Sequence, residues 1–184
     1  MMKKIFKSSV SFLKIGFVHD MKNIRSRVSL FFFNFIPDFF LLIPIRNLIL
    51  ILGGGKVPFL ACYIRSPFYC GNLSNLTVGP GVFINKHAYI ESNASVKIGE
   101  KCQIGPYFKV ENTNHVNTVN MNTALFPVVV EASVWIGSGV ILLPKAYIES
   151  HSIVAAGAVV SGKLEGHKTY GGVPAKQLLK RNPS

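Results

Sequence analysis

Acidic side chains are scarce in this 184-residue sequence: 8 Asp and Glu stand against 20 Lys and Arg, a formal net charge of +12. The imbalance implies an anionic partner, whether nucleic acid, an acidic membrane face or a phosphorylated small molecule. Nucleic acid is set aside, because there is no Cys/His finger spacing and no basic helix interleaved with aromatics. Cysteine is scarce too. Cys62, Cys70 and Cys102 are odd in number and lack metal-ligand spacing, which argues against a disulfide framework and for reduced thiols in a cytoplasmic protein. Long uninterrupted apolar runs are missing as well. Residues 28–52 come nearest, but Pro37, Asp38, Pro44, Arg46 and Asn47 fall inside that window. An Asp or Arg near the centre of a membrane span costs about 2.5–3.5 kcal/mol. Short helices broken at the prolines fit better, either as a plain cap on the main domain or as a surface that touches a membrane face or a partner subunit. Lys14 interrupts the apolar stretch after Lys3, Lys4 and Lys7, and no small-residue cleavage site follows, so no secretory signal is expected.

What the chain has instead is aliphatic residues in a fixed rhythm. Hydrophobic residues make up 49%, enough for one packed domain with an appendage. Gly53, Gly54 and Gly55 mark a boundary. Beyond it, every sixth residue from Val78 is aliphatic: Val78, Ile84, Ile90; then, after two extra residues, Ile98, Ile104, Val110; then, after a long insert, Val130, Ile136, Leu142, Ile148, Val154, Val160. The 19 Val, 17 Ile and 16 Leu together fill only about 28% of the chain, so twelve hits in twelve are not chance. Four residues after the aliphatics stand mostly small or apolar residues, among them Val82, Ala88, Ala94, Cys102, Phe108 and Val134.

A period of six is neither helical (3.6) nor simple strand alternation (2). It describes a short strand and a corner, repeated. Three such sides make an 18-residue triangular coil, and stacked coils pair as parallel strands about 4.8 Å apart. Four coils start at Val78, Ile98, Val130 and Ile148. Cys102 falls in an inward column and reads as core filler.

The hexapeptide pattern is that of the left-handed parallel β-helix, an all-β fold. Residues 78–181 resemble the hexapeptide-repeat acetyltransferases, the galactoside and maltose acetyltransferases and the enzymes that O-acetylate bacterial surface polysaccharides. The strings that carry the likeness are VFIN at 82–85, IGEKCQIGP at 98–106, NTNH at 112–115, VWIGSGVILLP at 134–144 and GGVPAKQLLKR at 171–181. Residues 1–55 then form a helical apolar N-terminal region and 56–165 the β-helix with a loop at 111–127. The resemblance makes 166–184 a coenzyme-A-contacting tail or helix.

The resemblance implies acetyl-CoA as cosubstrate, a sugar or glycan acceptor, no metal and a homotrimer. His115 matches the family's catalytic base. Such a group is chemically needed, since a sugar hydroxyl is too weakly acidic to attack a thioester unaided and imidazole titrates near neutral pH. A backbone N–H near Ser138 would stabilise the oxyanion. Asn85 matches an acceptor-side residue. Ser138, Ala156, Ser161 and Lys176 match the coenzyme A contacts, and Trp135 packs near the thioester, at a subunit contact or in the core. Ser92 stands where the sugar acetyltransferases would hold an acceptor-binding carboxylate, and Val116 replaces their proline after the histidine. Two other readings share parts of the pattern: a serine acetyltransferase-like enzyme and a catalytically silent hexapeptide scaffold. A hydratase on the same fold would need three histidines converging on zinc, and no such set exists beyond His115.

Overall fold

The computed structural model describes residue 21 and residues 23–117 and 122–178. A helix over 23–35 (α1) stops before Pro37. A 3-10 turn at Phe40–Leu42 then leads into α2 (Ile43–Leu52), which has Pro44 in its first turn. There the missing proline N–H would have had no intrahelical partner anyway. The apolar window is therefore broken at Pro37, whereas Pro44 opens the second helix. Arg46 on α2 is buried. It donates to the carbonyls of Phe33 and Ile36 at the end of α1 and to that of Ile64, and its guanidinium lies 4.0 Å over the Phe33 ring. A buried cation is costly unless its donors are used. Here the two Nη groups tie both helices to the main body, while Nε is buried without a partner among the described residues. Where α2 ends, a Cβ on Gly53 would overlap the Leu73 and Ser29 side chains.

The first strands, β1 (Cys62–Ile64) and β2 (Phe68–Cys70), precede the first full coil of β3 (Leu76–Val78), β4 (Val82–Ile84) and β5 (Ala88–Ile90). The next coil holds β6 (Val96–Ile98), β7 (Gln103–Ile104) and β8 (Lys109–Val110), followed by a hairpin of β9 (Thr113–Asn117) and β10 (Asn122–Leu125). Then come β11 (Val128–Val130), β12 (Trp135–Ile136) and β13 (Ile141–Leu142), and after them β14 (Tyr147–Ile148), β15 (Ile153–Val154) and β16 (Val159–Val160). The last are β17 (Lys163–Leu164), β18 (Thr169–Gly171) and β19 (Lys176–Gln177).

These strands stack into three faces: β3, β6, β11, β14 and β17; β1, β4, β7, β12, β15 and β18, with β19 added at the edge; and β2, β5, β8, β13 and β16. Pairing within the faces is parallel except for β18 with β19. The result is a left-handed parallel β-helix of triangular section. All twelve aliphatics of the sixfold series are buried. Fully burying one such side chain is worth about 1.5–3 kcal/mol, so the column is the main cohesive element.

The column also runs further than the sixfold count. Ile64 and Cys70 precede it and Leu164 and Tyr170 follow it, all buried. The region from 166 onward thus opens with a strand of the β-helix, β18, and continues into β19 as a hairpin. One inward position shifts: Val96 fills the core while Ala94 is only half-buried, because the two extra residues before Ile98 displace the phase. The insertions share one corner. Residues 71–75, 91–95 and 111–127 all lie where the chain turns from the third face to the first.

Candidate functional site

At the corner where the second face turns toward the third, one residue of each coil stacks on the next. Pairings Ile64 with Ile84, Ile84 with Ile104, Ile104 with Ile136 and Ile136 with Val154 carry Arg65, Asn85, Gly105, Gly137 and Ala155 into one column. Gly171 continues it and pairs with Lys176. The glycines are required by closeness. A Cβ on Gly105 would come 2.7 Å from Ser138 N, and one on Gly137 would come 2.5 Å from Ala156 N. Without side chains there, the corner is a narrow trough parallel to the helix axis.

Gly105, Gly137, Ala155, Ser138 and Ala156 line this groove, together with Trp135, Ile136, Ile153 and Val154, around a volume of about 390 Å³. Ser138 and Ala156, 18 residues apart, are both exposed on it. Trp135 is 58% exposed, so a large apolar ring stands at the groove without a covering partner among the described residues. The Ser138 N–H donates to no described residue. Lys176 is exposed two strand spacings beyond Ala155, about 10 Å along the axis. Asn85 lies one spacing from Gly105 on the other side, half-buried, its Oδ1 accepting from Lys86 N at 2.8 Å. Ser161 is exposed at the corner between the third and first faces, outside this groove.

His115 lies in β9, opposite Thr123 of β10, on the hairpin that leaves the third-to-first corner. Its imidazole lies outside the described residues. The base of that hairpin is fastened by Glu91, whose carboxylate accepts from Asn112 N at 2.9 Å, Thr113 N at 3.2 Å and Thr113 Oγ1 at 2.9 Å. Ser92 is fully buried, and its Oγ accepts from Asn72 N and donates to Asn72 O. It closes a corner and faces no groove.

Residues 127–162 match the bacterial transferase hexapeptide (six repeats) family. The chain is a hexapeptide-repeat protein. In sequence it is 27% identical to the galactoside O-acetyltransferase of Lactococcus lactis over 67% of this chain and 62% of that one. It spans about three-fifths of the length of the curated relatives it matches. Among solved structures it is similar to a hexapeptide-repeat acetyltransferase of Vibrio cholerae complexed with acetyl coenzyme A. The TM-score is 0.79 and the identity 23%, covering 88% of this chain and 87% of that one. A maltose O-acetyltransferase of Clostridium difficile aligns with a TM-score of 0.81 at 20% identity over 90% and 89% of the two chains. These structural likenesses show the fold.

The hexapeptide-repeat protein also carries a polar cluster that the sequence reading passed over. Asp38 Oδ2, from the loop between α1 and α2, lies 2.8 Å from Arg65 Nε and 3.9 Å from Lys86 Nζ. Partial burial pushes the Asp38 carboxyl up, but the Arg65 hydrogen bond and charge, helped by Lys86, hold it below the usual range. Arg65 shares the Asn85 column, so the cluster sits at the Asn85 end of the groove edge. One signal was available: Asp38 is the only acid between Asp20 and Glu91. The thiols of this hexapeptide-repeat protein are buried and inert, with Cys62 and Cys70 pushed up to about 12 by desolvation. Among the described residues no group of three or more His, Cys, Asp or Glu could hold a metal ion.

Proposed function

We propose that this protein transfers the acetyl group of acetyl-CoA to a sugar hydroxyl, on a surface polysaccharide or its precursor, without an acyl-enzyme. The observation that carries the reading is the corner groove itself. It is a narrow apolar trough of Gly, Ala and Ser on stacked coils, with a lysine at one end and Asn85 at the other. Pantetheine is a thin chain that such a trough can hold lengthwise. Lys176 would then meet the anionic phosphates, and the thioester would lie toward Asn85. Ser161 lies off this line in its own prism, at the corner that also bears the His115 hairpin, so a coenzyme A contact from it would be made to a neighbour's groove.

In this mechanism His115 accepts the proton of the acceptor hydroxyl as its oxygen attacks the thioester carbonyl. The oxyanion forms near the Ser138 N–H, a donor already fixed in the corner. Collapse breaks the C–S bond, and the imidazolium returns the proton to the coenzyme A thiolate. Asn85 orients the acceptor, and holding both substrates removes much of the entropic barrier. The sequence likeness to galactoside O-acetyltransferases supports a sugar as acceptor. The groove and the His115 hairpin leave different corners of the prism, which supports a homotrimer whose neighbouring subunits complete each site.

Replacing His115 by Asn, nearly isosteric but not a base at neutral pH, tests the proposal. The expected loss in kcat is about 10²–10⁴-fold, with acetyl-CoA binding and oligomeric state retained, because the hairpin stands outside the core column. Retention of more than about a tenth of wild-type kcat, assayed with a deacetylated glycan, would remove His115 as the base.

A further inference from the structure

Among the described residues, the two N-terminal helices carry apolar side chains with nothing over them. On α1, Ile24, Val28 and Phe32 are exposed, and on α2 and the turn before it Leu41, Ile45, Leu48 and Leu52 are exposed. The first set lines a groove between the helices with Ile36, Ile49 and Leu52, and Leu52 is the member of the second set that reaches it. Helical spacing on α2 (45, 48, 52) makes the exposed set a single stripe, preceded by Leu41 in the turn before it. Monomeric proteins rarely leave contiguous apolar patches of this kind unless something binds there. Among the described residues no helix is long and apolar enough to cross a membrane.

Charge selects the occupant. Residues 1–56 hold nine Lys and Arg, of which Arg46 is buried, against Asp20 and Asp38, and Asp38 is already paired with Arg65. Most of the excess positive charge of the whole chain thus belongs to this one region. A second copy of the same face would bring like charges together, whereas an anionic lipid surface would satisfy both features at once. The Arg25 Nε bonds to Leu52 O at the end of α2, which places a guanidinium at the rim of the groove.

We infer that this two-helix face docks the protein onto an anionic phospholipid surface, with the apolar stripe inserted among the acyl chains and Arg25 at the groove rim level with the headgroups. The interaction is interfacial and reversible, and it holds the groove of the β-helix beside the membrane. It does not depend on the acetyl transfer proposed above. Each basic residue near an anionic surface contributes roughly fivefold in partitioning, and salt screens that share because the Debye length shrinks to about 3 Å at 1 M.

Sedimentation of the full-length protein with vesicles tests this without any turnover. The expected result is binding to phosphatidylcholine vesicles containing phosphatidylglycerol and little binding to phosphatidylcholine alone, with loss at high salt. The double substitution Leu48→Gln with Leu52→Gln removes two exposed side chains and should weaken binding about tenfold or more. Its thermal stability and its acetyl transfer to a soluble acceptor should match wild type. Equal binding to neutral vesicles, or a variant that binds as wild type does, overturns the proposal. So does a variant whose light-scattering mass falls, which would give the face to a second copy of the chain. Absence of vesicle binding with residues 41–52 already protected from hydrogen exchange in the lipid-free protein would assign the face to protein contacts and equally overturn it.

Discussion

Lys176 shows how much a single residue owes to the strand that bears it. It pairs with Gly171, so a cation stands in the same column as the small residues of the groove, two coil spacings from Ala155. A phosphate contact that far from the reacting carbonyl is made equally in ground and transition states. Lys176→Ala should therefore raise KM for acetyl-CoA about tenfold, the weaker end expected for a hydrogen bond to a charged group, while kcat stays near wild type. An unchanged KM in steady-state assays would take Lys176 out of the site. The aliphatics at Val78 through Val160 were legible because burial imposes one residue type at one spacing. Asp38 was not, because its partners Arg65 and Lys86 come from two coils 27 and 48 positions away. No local pattern encodes that meeting. Ser161 illustrates the reverse case, a residue assigned to coenzyme A by likeness that the winding carries to a different corner from Ser138.

At the level of the strand and its corner, a carboxylate recurs immediately after the aliphatic. Glu91 accepts from Asn112 N and Thr113 N, Glu131 from Ser150 N at 3.0 Å and from the Tyr147 hydroxyl, and Glu149 from Gly166 N at 2.9 Å. Each uses an acceptor-rich side chain to satisfy corner N–H groups of the next coil that no strand partner can reach. The Tyr147 hydrogen bond, followed by those from Ser150, holds Glu131 below its usual 4.5, and Lys163, at 2.7 Å, holds Glu149 below it. A carboxylate depressed in the folded state stabilises the fold above its unfolded pKa, and that contribution disappears as pH falls through the folded pKa. Tm should be level from neutral pH down to about 5 and decline below about 4.5. Glu131→Gln should start from a lower Tm and show a shallower acid limb. Thermal melts across this range check it, and an unaltered limb would contradict the role given to Glu131. The repeat was legible at this scale and the corner chemistry was not: glutamate after an aliphatic looks like ordinary solvated charge until the next coil is stacked above it.

For the whole molecule, the placement of groove and hairpin at separate corners bears on assembly. A lone prism leaves Trp135 exposed at the groove and holds its own His115 hairpin on another edge, whereas three prisms around an axis can bring each hairpin to a neighbour's groove. The protein should scatter light as a trimer at micromolar concentration. A stable monomer that retains full activity would contradict shared sites. The winding has one more consequence. All the extra residues, from the pairs after Cys70 and Ile90 to the hairpin at 111–127, emerge along a single seam, and on either side of it the strands keep their register. Lengthening, shortening or exchanging a segment at that seam leaves the trough of Gly105, Gly137 and Ala155 untouched. On the function proposed above, new acceptor preferences can be grafted there one loop at a time, while the half of the machine that would handle the acyl donor stays constant.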